Sequence, residues 1–350
     1  MSGAKDLVWF SQGEVSVGRG TIDVIDPGAG PSRYRRSLEA LRRSGRQIGF
    51  ASFTFDPDEP GSMVLIPEDV ETTDWETTLG SALPDPPPGG RLISDGVPAW
   101  RSGFAEASAR LADGEVEKVV LARRVTAGFE SPIDQRRLLQ RLGPVRANSY
   151  LFAVGGLIGA SPELLVSIRD GAISAHPLAG TASSDAGLTG SLVEREHRLT
   201  ADAVSEALSP HLVNPPSLQP DTVEVGPIKH LGSRITGRAR PGVTIVDLLS
   251  SLHPTPAVGG VPPERALSLI RILEPWGRGR YAGPVGWLDS SGQGEFALAL
   301  RCGKVEGDEA TLFAGGGLVA GCDQEAELEE TRLKLEPMLT ALGLEPRGQI

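Results

Sequence analysis

Three short segments of this sequence combine ionisable side chains in ways that can do chemistry. VAGCDQEAELEETRLKLEPM (319–338) gathers Asp323, Glu325, Glu327, Glu329, Glu330 and Glu336 around Lys334. EKVVLARRV (117–125) places Lys118 in an otherwise apolar, strand-like run. GASPELL (159–165) sets Glu163 directly after a Ser-Pro corner. Carboxylates that converge can hold a cation or share acid and base work, and a lysine among small apolar residues can serve as a base.

Helical phase divides the acidic segment. At 3.6 residues per turn, Leu328, Leu335, Leu339 and Leu342 form the apolar stripe. Glu325, Glu329 and Glu336 lie opposite it, with Arg332 in reach of Glu329, and read as solvated. Glu327, Glu330 and Lys334 occupy a second polar strip beside the stripe. That strip is either an ordinary Glu330–Lys334 ion pair one turn apart or part of a metal site. SLVEREHRLTADAVSEAL (191–208) has the same design: Val193, His197, Thr200, Val204 and Leu208 gather on one side. Glu196 lies on the flank, beside Ala203 and Ala207. Two such flanks can bring Glu196 and Glu330 to one hard cation, for which Mg²⁺ is suited by its preference for oxygen.

Only five of the 34 basic residues are lysines (Lys5, Lys118, Lys229, Lys304, Lys334), so a lysine on a strand stands out. Arginine does not give up its proton, whereas a buried lysine can. Lys118 shares a strand face with Val120 and Ala122. It is either an edge lysine that blocks aggregation or a working amine. The run LFAGGGLV (312–319) ends a strand in three glycines, which let a ligand approach the backbone and let amides converge on an anion.

These groups need a frame. The sequence predicts helices over 100–115, 191–208 and the acidic segment. It predicts hairpins at 149–161 around Gly155-Gly156, at 163–177 around Asp170-Gly171, and over 281–304 around a polar Gly/Ser turn. Strands follow at 117–125 and 309–317, and 182–191 and 209–217 read as loops. LPDPPPGGR (83–91) sets off an N-terminal part of roughly 80 residues. Hairpins outnumber strand–helix–strand units, which points to an α+β fold of antiparallel sheets with helices outside.

Bulk properties exclude several functions. The chain has 350 residues, 39% hydrophobic and 23% charged, as in water-soluble globular proteins. No apolar run is long enough to span a bilayer, and MSGAKDLVWFSQGE lacks the apolar core of a signal peptide. Cys302 and Cys322 make no disulfide framework. A cytoplasmic location is expected. The net charge of −11 disfavours nucleic acid and anionic membrane, and an anionic small ligand would need a cation or a local basic cluster.

Taken in order, the motifs EKVVLARR, GASPELL, PLAGT (177–181), EREHRL (194–199), IKHLGSRITG (228–237), LHPTPAVGG (252–260), GEFALALRCGK (294–304), LFAGGGLVAG and EAELEETRLKL (325–335) resemble the chorismate-utilising enzymes. The likeness covers about residues 115–340. That family includes isochorismate, salicylate, anthranilate and aminodeoxychorismate synthases. The resemblance implies one domain over 1–350, with the catalytic part in 100–340 and 1–90 poorly matched. It also implies two packed antiparallel sheets flanked by helices, with a cleft at one end.

By motif position, it implies Mg²⁺ held by Glu196 and Glu330, with Glu327 in the surrounding shell. Arg301, Lys334 and the amides of Gly315 and Gly316 would take substrate carboxylates, and Gly180, Thr181, His230 and Ala257 would line the ring pocket. Ala179 stands where aminodeoxychorismate synthases carry a nucleophilic lysine. Lys118 stands where anthranilate synthases carry glutamine and use ammonia. Water is thus the implied nucleophile, with Lys118 as base and Glu163 as acid. Ala257 resembles isochorismate synthases, where salicylate synthases place threonine. The expectation is a monomeric isochorismate synthase acting on chorismate without a glutaminase partner, its product serving siderophore, menaquinone or salicylate formation.

Overall fold

The computed structural model describes residues 7–182, 188, 191–225 and 228–344. Within that range strands and helices fall largely where hydrophobic period and turn chemistry place them. Tyr150–Val154 and Leu157–Ser161 form a hairpin whose turn residues Gly155 and Gly156 both have positive φ. Leu164–Arg169 and Ala172–His176 form another, with Asp170 and Gly171 at positive φ. Both are the left-handed pairs that match strand twist. The helix Ser191–Leu208 has its expected bounds, while the helix expected over 100–115 begins earlier, Val97–Ala112.

The two expected sheets are the halves of one continuous antiparallel ladder. From Lys118–Gly128 it runs to Glu309–Val319, Cys302–Glu306, Leu157–Ser161, Tyr150–Val154, Leu7–Ser11, Glu14–Ile25 and Met63–Asp74. It continues through Ile48–Ser52, Pro284–Asp289, Gly294–Leu298, Leu164–Arg169, Ala172–His176 and Ile228–Arg238. A ladder this long has to curl. Its halves face each other across one core: Trp9 and Phe152 from one half share a cluster with Phe50, Val166, Val285 and Phe296 from the other. Trp9 Nε1 crosses that core to donate to Glu295 Oε1 at 3.0 Å. The N-terminal segment is thereby woven in, because Leu7–Ser11 pairs with Tyr150–Val154 and Ile48–Ser52 with Pro284–Asp289.

Alternation sends the opposite faces of the same strands outward, as the two-residue period of a strand requires. Val8, Phe10, Leu151, Ala153, Val125 and Ala127 form a second core with Leu138 and Leu139 of helix Gln135–Arg141 and with Leu335, Met338 and Leu339 of helix Gln324–Ala341. The acid-rich helix thus packs by its predicted stripe, and Arg332 pairs with Glu329 on the outer side at 2.6 Å.

The hairpin expected over 281–304 is shorter than its sequence suggests. Pro284–Asp289 pairs with Gly294–Leu298, then the chain leaves that ladder and Cys302–Glu306 joins Leu157–Ser161 and Glu309–Val319 instead. Arg301, at φ 48, makes the break. Helix, strand and turn residues between 115 and 344 therefore converge on one end of the folded ladder.

Glu295 is buried, with Trp9 Nε1 and Arg169 at 3.4 Å as its partners. Glu295→Ala leaves the indole donor unpaired inside the core. Urea unfolding should show a loss of about 1.5–3 kcal/mol, the range for a hydrogen bond to a charged group.

Candidate active site

Lys118 begins the strand Lys118–Gly128, which has neighbours on both sides. Val319 faces Lys118 on one side and Val261 of the short strand Gly260–Val261 on the other. Lys118 is therefore no edge lysine, and it is fully buried, 0% exposed. Val120, two residues on and on the same face, lines a cavity at the end of the ladder.

Pairing parity decides which glycine amides open to this cavity. Val120 N donates to Gly259 O and Ala122 N to Glu274 Oε1, both away from the glycine-bearing strand Glu309–Val319. The intervening Leu121 must then exchange its hydrogen bonds with its partner Gly316. Gly316 thus spends its amide on the ladder, and the expectation that it serves a substrate carboxylate is corrected. Gly315 and Gly317 turn their backbone groups outward, and both line the cavity. Lys334 Nζ accordingly donates to Gly315 O at 2.9 Å. A side chain at Gly315 would meet Tyr281 Oη at 3.0 Å and Val120 Cγ1 at 3.1 Å, so close approach demands glycine.

The structure gathers Glu163, Gly180, His230, Ala257, Arg301, Gly315 and Lys334 around the one cavity. Glu163 is 4% exposed and is held by its neighbours: its N donates to Ser161 Oγ and its O accepts from Leu298 N. Burial pushes the Glu163 carboxyl up to about 8, against the pull of the Leu178 amide, Lys118, Lys334 and Arg301. The proton therefore stays on Glu163 at neutral pH. His230 accepts from Arg301 Nη2 through Nε2 at 3.0 Å. Burial first, then Arg301 and Lys334, hold the imidazole well below its ordinary range, so it is neutral. Arg301 is pushed down by burial to about 10 and remains a cation. Arg301 and Lys334 are thus the local basic cluster that an anionic ligand needs on an acidic protein.

Ala179 also lines the cavity, a methyl group where a covalent mechanism would require an amine. Thr181 and Glu196 are named above as site residues; their side chains lie outside the described residues. His253 settles as a structural histidine. Its Nε2 donates to Ala282 O at 3.1 Å and its Nδ1 accepts from Tyr34 Oη at 3.4 Å.

The Glu330–Lys334 ion pair exists, and Lys334 also lines the cavity. Glu327 Oε2 sits 2.9 Å from where a Cβ on Gly316 would be. Glycine there makes room for a carboxylate at the back of the site. Glu327 and Glu330, one turn apart, are hard oxygen donors of the kind Mg²⁺ takes. Among the described residues alone, no cluster of three or more metal-ligating side chains occurs.

Sequence reasoning passed over Tyr281, Phe313 and Arg278, which also line the cavity. Tyr281 stacks on Phe313 with ring centroids 4.9 Å apart. Phe313 lies on the glycine-bearing strand and Tyr281 in the turn before Pro284–Asp289, and both also belong to the core.

The family model for chorismate binding enzymes matches residues 91–343. The chain is 37% identical over 349 residues to MenF of Mycobacterium tuberculosis, a protein assigned as an isochorismate synthase, covering 89% of this chain and 90% of that one. Among solved structures, DhbC from Bacillus anthracis, assigned as a 2,3-dihydroxybenzoate-specific isochorismate synthase, superposes with a TM-score of 0.87 at 27% identity over 98% of each chain. The menaquinone-specific isochorismate synthase MenF from Escherichia coli superposes with a TM-score of 0.77 at 25% identity, over 96% of this chain and 88% of that one.

The raised Glu163 pKa has a stability consequence. Between its ordinary value of 4.5 and about 8, the folded state holds a proton that the unfolded chain has released, so this group's contribution to stability falls as pH rises through that window. Glu163→Gln has no such titration. Thermal melts should show the variant gaining on the parent progressively from pH 5 to pH 8.

Proposed function

Because this chain belongs to the chorismate-binding enzymes, we propose that it is an isomerase that interconverts chorismate and isochorismate. The observation that carries this reading is the protonated, buried Glu163 in one cavity wall beside the buried Lys118. Such a pair suits acid–base chemistry with water, and Ala179 offers no competing nucleophile.

The substrate is a dianion. Arg301, Lys334 and the outward amides of Gly315 and Gly317 would take its carboxylates, while neutral His230, Thr181, Gly180 and Ala257 border the ring. Lys118 Nζ accepts a proton from water as the water oxygen bonds to ring C2. The ring double bonds shift, the C4–O bond breaks, and Glu163 passes its proton to the departing hydroxyl. One water enters and one leaves, so product and substrate are isomers. In the reverse direction the two residues exchange roles. Mg²⁺, held by Glu196 and Glu330 with Glu327 behind them, would offset carboxylate charge and polarise the diene when bound.

Water as nucleophile removes the need for an ammonia-delivering glutaminase, and we read the chain as a cytoplasmic monomer working as one domain. Its first strand, paired with Tyr150–Val154, supports that unity. No helix among the described residues is long and apolar enough to cross a membrane. Ala257 on the cavity wall favours release of isochorismate over the further loss of pyruvate that a salicylate synthase performs.

Lys118→Ala should lower isochorismate formation by about 10²–10⁴-fold while chorismate still binds. Parent-like turnover would remove the base assignment, and release of pyruvate with salicylate fluorescence by the parent would favour the salicylate synthase reading. In calorimetric titration Glu330→Gln should weaken Mg²⁺ binding at least about tenfold, a loss typical even of outer-shell partners. Unchanged affinity would place the metal elsewhere.

A further inference from the structure

Outside the proposed chemistry, Glu274 and Arg278 form a buried ion pair. Their side chains are each 1% exposed and meet in a two-pronged pair, Nε to Oε2 and Nη2 to Oε1, both at 2.7 Å. Such a pair stabilises little by itself, because desolvating two charges consumes most of their attraction and an apolar pair of similar volume often does as well. What it contacts gives it a purpose.

On its side away from the glycine strand, the strand Lys118–Gly128 has an interrupted neighbour. Gly260–Val261 pairs with Val119 and Lys118, and Arg91–Ser94 pairs with Gly128, Ala127 and Thr126. The ion pair lies in the gap between them. Arg278 Nη2 donates to Val120 O at 2.8 Å, and Ala122 N donates to Glu274 Oε1 at 2.7 Å. Arg278 Nη1 donates to Val258 O at 2.7 Å, next to Ala257. The guanidinium also lies over the Phe55 ring, 4.2 Å from its centroid. Arg278 borders the cavity, yet these protein partners occupy four of its five N–H donors.

We propose that Glu274 and Arg278 are positioning residues: a buried ion pair that stands in for a missing strand segment and fixes the Lys118 strand against the Ala257 loop. The proposal rests on Lys118 as base. It places the lock two residues from Lys118, on the backbone that aims its side chain. Glutamate offers two acceptor oxygens: Oε1 takes the Ala122 amide and Arg278 Nη2, and Oε2 takes Arg278 Nε. Arginine offers a planar fork that bridges two carbonyls, which lysine cannot do.

The test uses the full chain with Mg²⁺ and chorismate. The double variant E274M/R278M removes the charges at similar volume, so its melting temperature should stay close to the parent's. Hydrogen exchange at the Ala122 amide should quicken, and kcat should fall about 10–100-fold, the cost of a misplacement on the order of an ångström. KM should move by less than about threefold. Parent-like kcat together with faster Ala122 exchange would overturn the proposal, since the strand would then be loosened without consequence. If the double variant does not fold, R278K decides: it keeps the charge but not the fork, so a lowered kcat supports the lock and a parent-like kcat overturns it. Failure of the base assignment is separate, seen as full turnover in Lys118→Ala.

Discussion

The site depends on desolvation outweighing attraction at one carboxyl group. Glu163 has Lys334 and Arg301 near it, and each favours its ionised form. In water such neighbours would hold the group ionised at neutral pH. Burial at 4% exposure reverses the outcome and leaves the proton in place. An acid that keeps its proton beside such cations can donate to a leaving hydroxyl while Arg301 and Lys334 hold the substrate's own negative charges. The same burial that makes Glu163 an acid keeps His230 neutral, so the cavity contains cations only where carboxylates are to be held.

That burial is a product of the curled ladder. Strands distant in sequence enclose the cavity: Val120 comes from one strand, Gly315 and Gly317 from its neighbour, and Glu163 from the corner before Leu164–Arg169. The glycine strand is paired along its whole length with Lys118–Gly128, but Cys302–Glu306 covers only its first residues, up to Leu312. Beyond that point one edge is open, and the outward backbone groups of Gly315 and Gly317 face the cavity. An exposed strand edge is ordinarily an aggregation hazard. Here Lys334 and the acid-rich helix cover it, and the open backbone becomes part of the site.

Much of this was legible in the sequence wherever local rules govern. The turns Gly155-Gly156 and Asp170-Gly171, the bounds of Ser191–Leu208 and the apolar stripe of Gln324–Ala341 all follow from period and turn chemistry. Ordered motifs supplied the grouping of Glu163, His230, Arg301 and Lys334, which no single segment carries. Long-range pairing was the illegible part. The hydrogen-bond parity that commits Gly316 to Leu121 depends on a partner strand almost two hundred residues away in sequence. The break at Arg301 needs a positive φ that no glycine announces. EPWGR (274–278) looks like an ordinary surface ion pair, because the same spacing serves exposed and buried pairs alike.

The origin of the new hydroxyl oxygen tests the central chemistry most directly. Chorismate incubated with the chain and Mg²⁺ in ¹⁸O-labelled water, followed by mass analysis of the product, reports whether solvent water attacks the ring. Isochorismate bearing one ¹⁸O at its C2 hydroxyl is the predicted result. Isochorismate without label would show that the hydroxyl migrates within the substrate, and would contradict water activation beside Lys118 and Glu163.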